Sequence, residues 1–154
     1  MQSLFKRIIL FIATGAFSGY SPFFPGTIGT LVGIGIYLVI YTSDPLTYVV
    51  ILVILFIPSA LISDKAEKIL LENDSKHIVI DEIFGFLVTM TFLPNRLLYI
   101  VLGFFFFRLF DIIKIFPANI IDKKIKNGWG VVLDDLVAGV YANLVLQGVL
   151  FLKL

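Results

Sequence analysis

The sequence predicts an all-α, polytopic membrane protein with about four to six membrane helices. Of its 154 residues 59% are hydrophobic and only 15% are charged, whereas soluble domains carry about 25% charged residues. Apolar runs approach the length of about 20 helical residues that a bilayer core requires. No linker rich in proline, glycine or serine divides the chain, so residues 1–154 are expected to form one domain.

The expected spans follow from the apolar runs and from the turn residues between them. They cover residues 4–17, 27–42, 46–63, 83–93, 97–113 and 131–152. Before residues 83–93, the segment SDKAEKILLENDSK predicts a polar helix at residues 63–74, outside the membrane. Most lysines and arginines fall on one side of this topology, which the positive-inside rule assigns to the cytoplasm. If the short segment 83–93 is re-entrant, the later spans are inverted.

Composition excludes several kinds of chemistry. The net charge of +1 provides no broad basic field for binding nucleic acid. The absence of cysteine rules out thiolate metal ligands and a cysteine-phosphate intermediate, and the single histidine, His77, argues against phosphohistidine chemistry. Lys6 and Arg7 before an apolar run resemble a secretory signal, but no A-x-A site follows, so we expect no cleaved leader.

Acidic residues lie at the edges of the apolar spans, where an unpaired charge costs several kcal/mol. Helix capping explains one acid per helix, but the segments IVIDEIFG and VVLDDLVAG each carry two adjacent acids followed by glycine. Converging carboxylates repel unless cations intervene, and oxygen ligands favour Mg²⁺ or Mn²⁺ over zinc. We therefore expect a metal site formed by Asp81, Glu82, Asp134 and Asp135. The alternative is that these acids only cap their helices.

The segment FRLFDIIKIFP places Arg108, Asp111 and Lys114 three residues apart, on one helix face. We expect Asp111 to assist the metal site and Lys114 to hold a phosphate oxygen. Arg108 is assigned a structural role in a salt-bridged ladder.

Two loops offer small and polar residues for binding a phosphate. Glycines and hydroxyls in ATGAFSGYSPFFPGTIGT present backbone N–H groups without bulk, and the candidates there are Ser21, Gly26 and Thr27. In KKIKNGWGVV, which precedes the second acidic pair, the candidate is Gly128.

These motifs, in this order, resemble the phosphatidylglycerophosphatase A family. The resemblance covers nearly the whole chain and rests on ATGAFSGYSPFFPGTIGT, IVIDEIFG, FRLFDIIKIFP and WGVVLDDLVAG. It implies an all-helical, magnesium-dependent enzyme that converts phosphatidylglycerophosphate to phosphatidylglycerol in the bacterial cytoplasmic membrane. The chain departs from the family pattern at Ile115, where proline is usual, and at Asn127, where glycine is usual. Asparagine can adopt the left-handed conformation that glycine would supply at this position.

The resulting hypothesis is a lipid phosphatase whose site faces the cytoplasm. Its attacking group is either a water activated by the metal or an aspartate, with water preferred. The catalytic residues expected are Asp81, Asp111, Lys114, Asp134 and Asp135. The sequence makes no prediction of oligomeric state.

Three other functions are alternatives, and each predicts a feature that distinguishes it from a lipid phosphatase. A cation- or proton-coupled transporter would use the same carboxylates, but its acids would be spread across the membrane depth. A phosphatidyl-alcohol transferase would carry a D-x-x-D-G motif, which is absent. A structural membrane protein would tolerate the loss of both acidic pairs.

Overall fold

The computed structural model describes residues 2–152, and within that range the secondary structure is entirely helical. The seven α-helices are α1 Gln2–Ala13, α2 Pro25–Ile40, α3 Pro45–Leu70, α4 Ile80–Thr89, α5 Leu97–Ile113, α6 Ala118–Lys124 and α7 Gly128–Phe151. A 3-10 turn, Ser18–Tyr20, lies between α1 and α2. The all-α prediction is confirmed for the described residues.

The helices α4 and α7 form the centre of the bundle. The helix α7 packs against α3, α4, α5 and α6, and α4 packs against α2, α3, α5 and α7. Large apolar side chains fill the space around them with almost no exposed area, among them Phe86, Leu87, Phe107 and Leu146. This close packing holds α4 in place against α7.

Two helices, α3 and α7, are long and apolar enough to cross a membrane, and α2 is apolar but shorter. Of the four to six spans expected from the sequence, these two are therefore the clear candidates. Large apolar side chains are also exposed on α1, α2, α3 and α5, including Phe11, Val39, Val53 and Phe105. Extensive exposed apolar surface of this kind is typical of contact with a membrane or a partner.

The expectation of a separate polar helix at residues 63–74 is wrong, because α3 continues from Pro45 to Leu70. Pro58 lies inside α3 and removes one backbone donor, yet the residues after it remain helical. An ion pair between Lys68 Nζ and Asp64 Oδ2, 2.6 Å apart, supports the polar end of the helix. The helix ends where Leu71 adopts a left-handed conformation with a φ of 57°.

The short segment expected at residues 83–93 corresponds to α4, which begins at Ile80 and ends at Thr89. Its 10 residues extend about 15 Å at the usual helical rise, which is about half of a bilayer core. The helix α5 has the predicted bounds, residues 97–113. The helix α6 was not expected from the sequence.

The helices α4 and α7 run side by side in the same direction. Asn143 in α7 donates hydrogen bonds to the carbonyls of Thr89 and Thr91, at 2.8 and 2.7 Å, and Gln147 donates to the Thr91 carbonyl at 3.1 Å. Because the last carbonyls of a helix have no partner within it, these amides allow α4 to end inside the protein.

Candidate active site and metal centre

The acidic pairs of α4 and α7 meet because two glycines bring the helices into backbone contact. A Cβ on Gly85 would lie 2.9 Å from the carbonyl oxygen of Asp135, and a Cβ on Gly139 would overlap the carbonyl oxygen of Gly85. Each glycine follows an aspartate by about one helical turn. Asp81 and Asp135 are therefore placed next to each other, one turn before the crossing.

Three carboxylates converge at this point. Asp81, Glu82 and Asp135 each offer an oxygen within 4.8 Å of the others, although Asp81 and Asp135 are only 6% and 4% exposed. One oxygen of each group has no hydrogen-bond partner, namely Asp81 Oδ1, Glu82 Oε2 and Asp135 Oδ2. Carboxylates that lie this close, with buried and unpaired oxygens, repel one another. A cation among them would remove the repulsion. The three residues thus fit a hard divalent cation that prefers oxygen ligands.

Arg108 and Asp111, on α5, adjoin the three carboxylates. Arg108 Nη1 lies 2.6 Å from Asp111 Oδ2 and 3.8 Å from Glu82 Oε1. Asp111 and Glu82 therefore lie on the same guanidinium, which places Asp111 at the edge of the carboxylate cluster. Arg108, which was assigned a structural role, contacts the same cluster.

A second group of charges surrounds Lys114, which directly follows the last residue of α5. Its Nζ lies 2.6 Å from Asp134 Oδ2 and 2.8 Å from Asp122 Oδ1. The structure thus pairs Asp134 with Lys114 and does not bring it into the set formed by Asp81, Glu82 and Asp135. Both acids of the α4 pair therefore belong to the carboxylate cluster, whereas in α7 only the second acid, Asp135, does.

Hydrogen bonding shifts the pKa values of Asp122 and Lys114 in this second group. The hydrogen bond from Lys114 holds the pKa of Asp122 below its ordinary value. Burial lowers the pKa of the Lys114 ammonium, but the hydrogen bonds to Asp122 and Asp134 outweigh it and raise the pKa above its ordinary value. Lys114 therefore carries a positive charge at neutral pH.

The start of α2 lies directly over Glu82 and Arg108. A Cβ on Gly26 would overlap Glu82 Oε1 and would lie 3.0 and 3.1 Å from the two terminal nitrogens of Arg108. Gly26 is therefore in the site, and Thr27 follows it in the first turn of α2, half-buried. The hydroxyl of Ser21 is used within its own loop, where it donates to the carbonyl of Phe23 at 3.0 Å.

Gly128 and Asn127 have packing and capping roles at the start of α7. A Cβ on Gly128 would lie 2.6 Å from the Cα of Asp64, so Gly128 allows α7 to touch α3. Asn127 does not adopt the left-handed conformation that asparagine permits, since its φ is −153°. Its side chain instead accepts hydrogen bonds from the backbone N–H groups of Trp129 and Gly130, at 3.1 and 3.3 Å, as an N-cap residue does.

One residue of the site, Asp122, was missed from the sequence, and Arg108 was named there but assigned a structural role. Asp122 lies in the short helix α6, and nothing in the local pattern indicated that its carboxylate would reach Lys114. Arg108 carried a usable signal, since a cation inside the apolar run LLYIVLGFFFFRLF requires a buried partner.

The chain matches the family model described as phosphatidylglycerophosphatase A over residues 11–150. It is 34% identical over 131 residues to phosphatidylglycerophosphatase A of Escherichia coli, a match that covers 84% of this chain and 76% of the relative. It is 31% identical over 137 residues to the Haemophilus influenzae protein of the same name, covering 87% of this chain and 83% of the relative. No solved structure matches it significantly.

A third relative carries a different name. The chain is 33% identical over 139 residues, 85% of its length and 86% of the relative, to a Bacteroides thetaiotaomicron protein provisionally named a phosphatidylinositol-3-phosphatase. All three names describe phosphatases that act on a phospholipid. With the family model matched over nearly its whole length, the chain belongs to the phosphatidylglycerophosphatase A family and is a phosphatase.

Proposed function

We propose that this protein hydrolyses phosphatidylglycerophosphate to phosphatidylglycerol and inorganic phosphate, with Mg²⁺ held by Asp81, Glu82 and Asp135. The observation that carries the proposal is the set of three converging carboxylates, each with a buried oxygen that lacks a partner. A phosphomonoester brings further negative charge to this point. Divalent cations are the usual means of neutralising the charge of the carboxylates together with that of the phosphate. Mn²⁺ has the same ligand preference and is expected to substitute.

The chemistry that Mg²⁺ supplies when bound is neutralisation of phosphate charge and activation of a water. Asp111 stands next to the three carboxylates, where it completes the acidic shell. An ammonium has three N–H donors, and Lys114 uses two of them on Asp122 and Asp134. The third is available for a phosphate oxygen, which is the role that the sequence suggested for Lys114.

Backbone donors at the start of α2 complement these side chains. The first backbone hydrogen bond of α2 is donated by Ile28 to Phe24, so the N–H groups of Gly26 and Thr27 precede the helical ladder. Phe24 provides no side-chain cap. Such a helix start favours an anion, and Gly26 places it over Glu82.

A lipid substrate fits the exterior of the protein. An apolar groove of about 420 Å³ lies between α1, α2, α3 and α4 and is lined by Ile80 and Ile83, on either side of the acidic pair in α4. Acyl chains in lipid or in this groove would leave the headgroup near Asp81 and Glu82. We propose a multi-pass protein of the bacterial cytoplasmic membrane with its site on the cytoplasmic face, in keeping with the positively charged loops on that side.

The transporter considered from the sequence receives no support from the comparisons, whose named relatives are all phosphatases. The acids also cluster at one level of the bundle, whereas an ion pathway would distribute them.

The decisive experiment is phosphate release by the purified protein in detergent micelles containing phosphatidylglycerophosphate, with Mg²⁺ or with excess chelator. Asp135→Asn is the test variant, and Asp64→Asn, which alters an acid paired with Lys68 at the end of α3, is the matched control. We expect release that requires metal, survives in Asp64→Asn and is lost in Asp135→Asn. A parallel assay with phosphatidylinositol 3-phosphate measures headgroup preference. Release that is unchanged by chelator or by Asp135→Asn would refute the proposed mechanism.

A further inference from the structure

We propose that Arg108 is a phosphate-binding residue, which exchanges its contact with Asp111 for oxygens of the substrate's phosphate. The proposal rests on the function proposed above and adds a residue to it. The guanidinium of Arg108 has hydrogen-bond donors that are not used. A guanidinium carries five N–H donors, yet Arg108 Nε and Nη1 are both buried and have no hydrogen-bond partner.

The ion pair with Asp111 does not use these donors well. Nη1 lies 2.6 Å from Asp111 Oδ2, which is close enough for a strong charge interaction, but no N–H group of Nη1 is directed at an acceptor. The contact with Glu82 is longer, at 3.8 Å. A buried donor without an acceptor is destabilising, so an acceptor that fits the planar guanidinium would be favoured here.

A glycine allows the start of α2 to pack directly against the guanidinium. A Cβ on Gly26 would lie 3.0 Å from Nη2 and 3.1 Å from Nη1 of Arg108. Any larger residue at this position would therefore press against the guanidinium and move the start of α2 away from it. The first N–H groups of α2 lie on the same side, since Gly26 belongs to its first turn.

Charge balance points to the same role. Among the described residues, Arg108 is the one lysine or arginine within 4.0 Å of the carboxylate cluster, since Lys114 pairs with Asp122 and Asp134. Arginine binds phosphate through two parallel hydrogen bonds, which lysine cannot form. A phosphate between Arg108 and cations held by Asp81, Glu82 and Asp135 would contact positive charge on both sides.

The test measures binding of inorganic phosphate to the detergent-purified protein by ³¹P NMR titration in the presence of Mg²⁺. We expect Arg108→Gln to weaken phosphate binding at least tenfold and Arg108→Lys to weaken it less, because lysine keeps the charge but loses the paired donors. Arg96→Gln is the matched control, since Arg96 is exposed at the start of α5 and its side chain makes no capping hydrogen bond. This control should bind phosphate like the unaltered protein.

A purely structural arginine would give a different result. In that case Arg108→Gln and Arg108→Lys would lower the unfolding temperature but bind phosphate within twofold of the unaltered protein, and this outcome overturns the proposal. If Arg108→Gln does not fold, Arg108→Lys decides. The binding assay does not depend on turnover, so phosphate binding through Arg108 without hydrolysis of phosphatidylglycerophosphate would reject the proposed function while supporting the assignment of Arg108.

Discussion

Gly139 lies directly against the carbonyl oxygen of Gly85, where α4 and α7 are in backbone contact. Thr89 and its hydrogen-bond partner Asn143 are 54 residues apart in the sequence. The two glycines are separated by the same number of residues, and so are Asp81 and Asp135, one turn earlier. The two helices thus share one register over about two turns. This relationship explains why the acidic pair and the glycine occur together in both segments.

Substituting Gly139 with alanine should separate α4 from α7. The added Cβ would overlap the Gly85 carbonyl, which belongs to the backbone and cannot rotate away. We expect a destabilisation of about 1–3 kcal/mol, as for other overpacked cores, together with loss of metal-dependent phosphate release as Asp81 moves away from Asp135. Thermal unfolding and the phosphatase assay measure the two effects.

The matched control is Gly148→Ala in the same helix, where an added Cβ meets no atom within 4 Å. Since alanine is the better helix former, this variant should unfold at the same or a higher temperature and keep its activity. Equal behaviour of Gly139→Ala and Gly148→Ala would show that the crossing does not position the acids.

The repeated acid–glycine pattern was sufficient to predict that α4 and α7 would bring carboxylates together. It was not sufficient to predict which acids. On each helix, adjacent residues point about 100° apart, so only one acid of the α7 pair faces α4. The structure directs Asp135 toward Asp81 and Glu82, and Asp134 toward Lys114. That rotation depends on how α7 packs against four other helices, which no local pattern encodes.

Removing one carboxylate of the cluster should weaken Mg²⁺ binding more than it weakens the fold. Glu82→Gln leaves an oxygen ligand but removes a charge, and we expect at least a tenfold rise in the Mg²⁺ concentration that gives half-maximal phosphate release. In the absence of Mg²⁺ this variant should be as stable as the unaltered protein or more stable, because it relieves repulsion among buried acids. A metal dependence unchanged from that of the control Asp64→Asn would remove Glu82 from the ligand set.

The ion pair between Lys114 and Asp134 should contribute strongly to stability only while Asp134 keeps its charge. Lys114→Met leaves a carboxylate that is 4% exposed without its cation, and we expect a destabilisation of about 2 kcal/mol, reduced from the cost of a fully buried pair because Lys114 is partly exposed. Asp134→Asn combined with Lys114→Met should recover much of the loss. A double-mutant cycle of thermal unfolding tests this coupling, and additive effects would contradict it.

The bounds of α3 show that a change from apolar to charged residues does not by itself mark the end of a helix. The segment SDKAEKILLENDSK is charged where the preceding residues are apolar, and the change suggested a new helix outside the membrane. Helix geometry does not require an end at such a change, because Asp64 and Lys68 stabilise the polar turns by their own ion pair. The actual end at Leu71 depends on a left-handed residue, which leucine adopts only rarely and which its identity does not signal.

Asn143→Leu should destabilise the end of α4. The Asn143 side chain donates to the carbonyls of both Thr89 and Thr91, and leucine of similar size would leave the Thr89 carbonyl without that donor. We expect a loss of about 1–3 kcal/mol, measured by thermal unfolding. Gln147→Leu is the comparison, since Gln147 supplies a single donor to Thr91, which Asn143 already serves. A larger effect from Gln147→Leu would contradict the role assigned to Asn143.

The pH dependence of stability should reveal the cap at the start of α3. Asp44 accepts hydrogen bonds from the hydroxyl and the backbone N–H of Thr47, and the hydroxyl first of all holds the pKa of Asp44 below its ordinary value. A carboxyl whose pKa is lowered by folding stabilises the folded state above its unfolded pKa, about 3.9, and loses this effect as the pH falls through its folded pKa.

Asn accepts the same hydrogen bonds without the charge, so Asp44→Asn isolates the charged contribution at the start of the helix. The unaltered protein should unfold at a higher temperature than Asp44→Asn above about pH 5, and the difference should shrink as the pH falls below about 4. Unfolding temperatures of the two proteins measured across this range test the prediction. A difference that stays constant or widens in acid would show that the Asp44 carboxylate does not stabilise α3 through its charge.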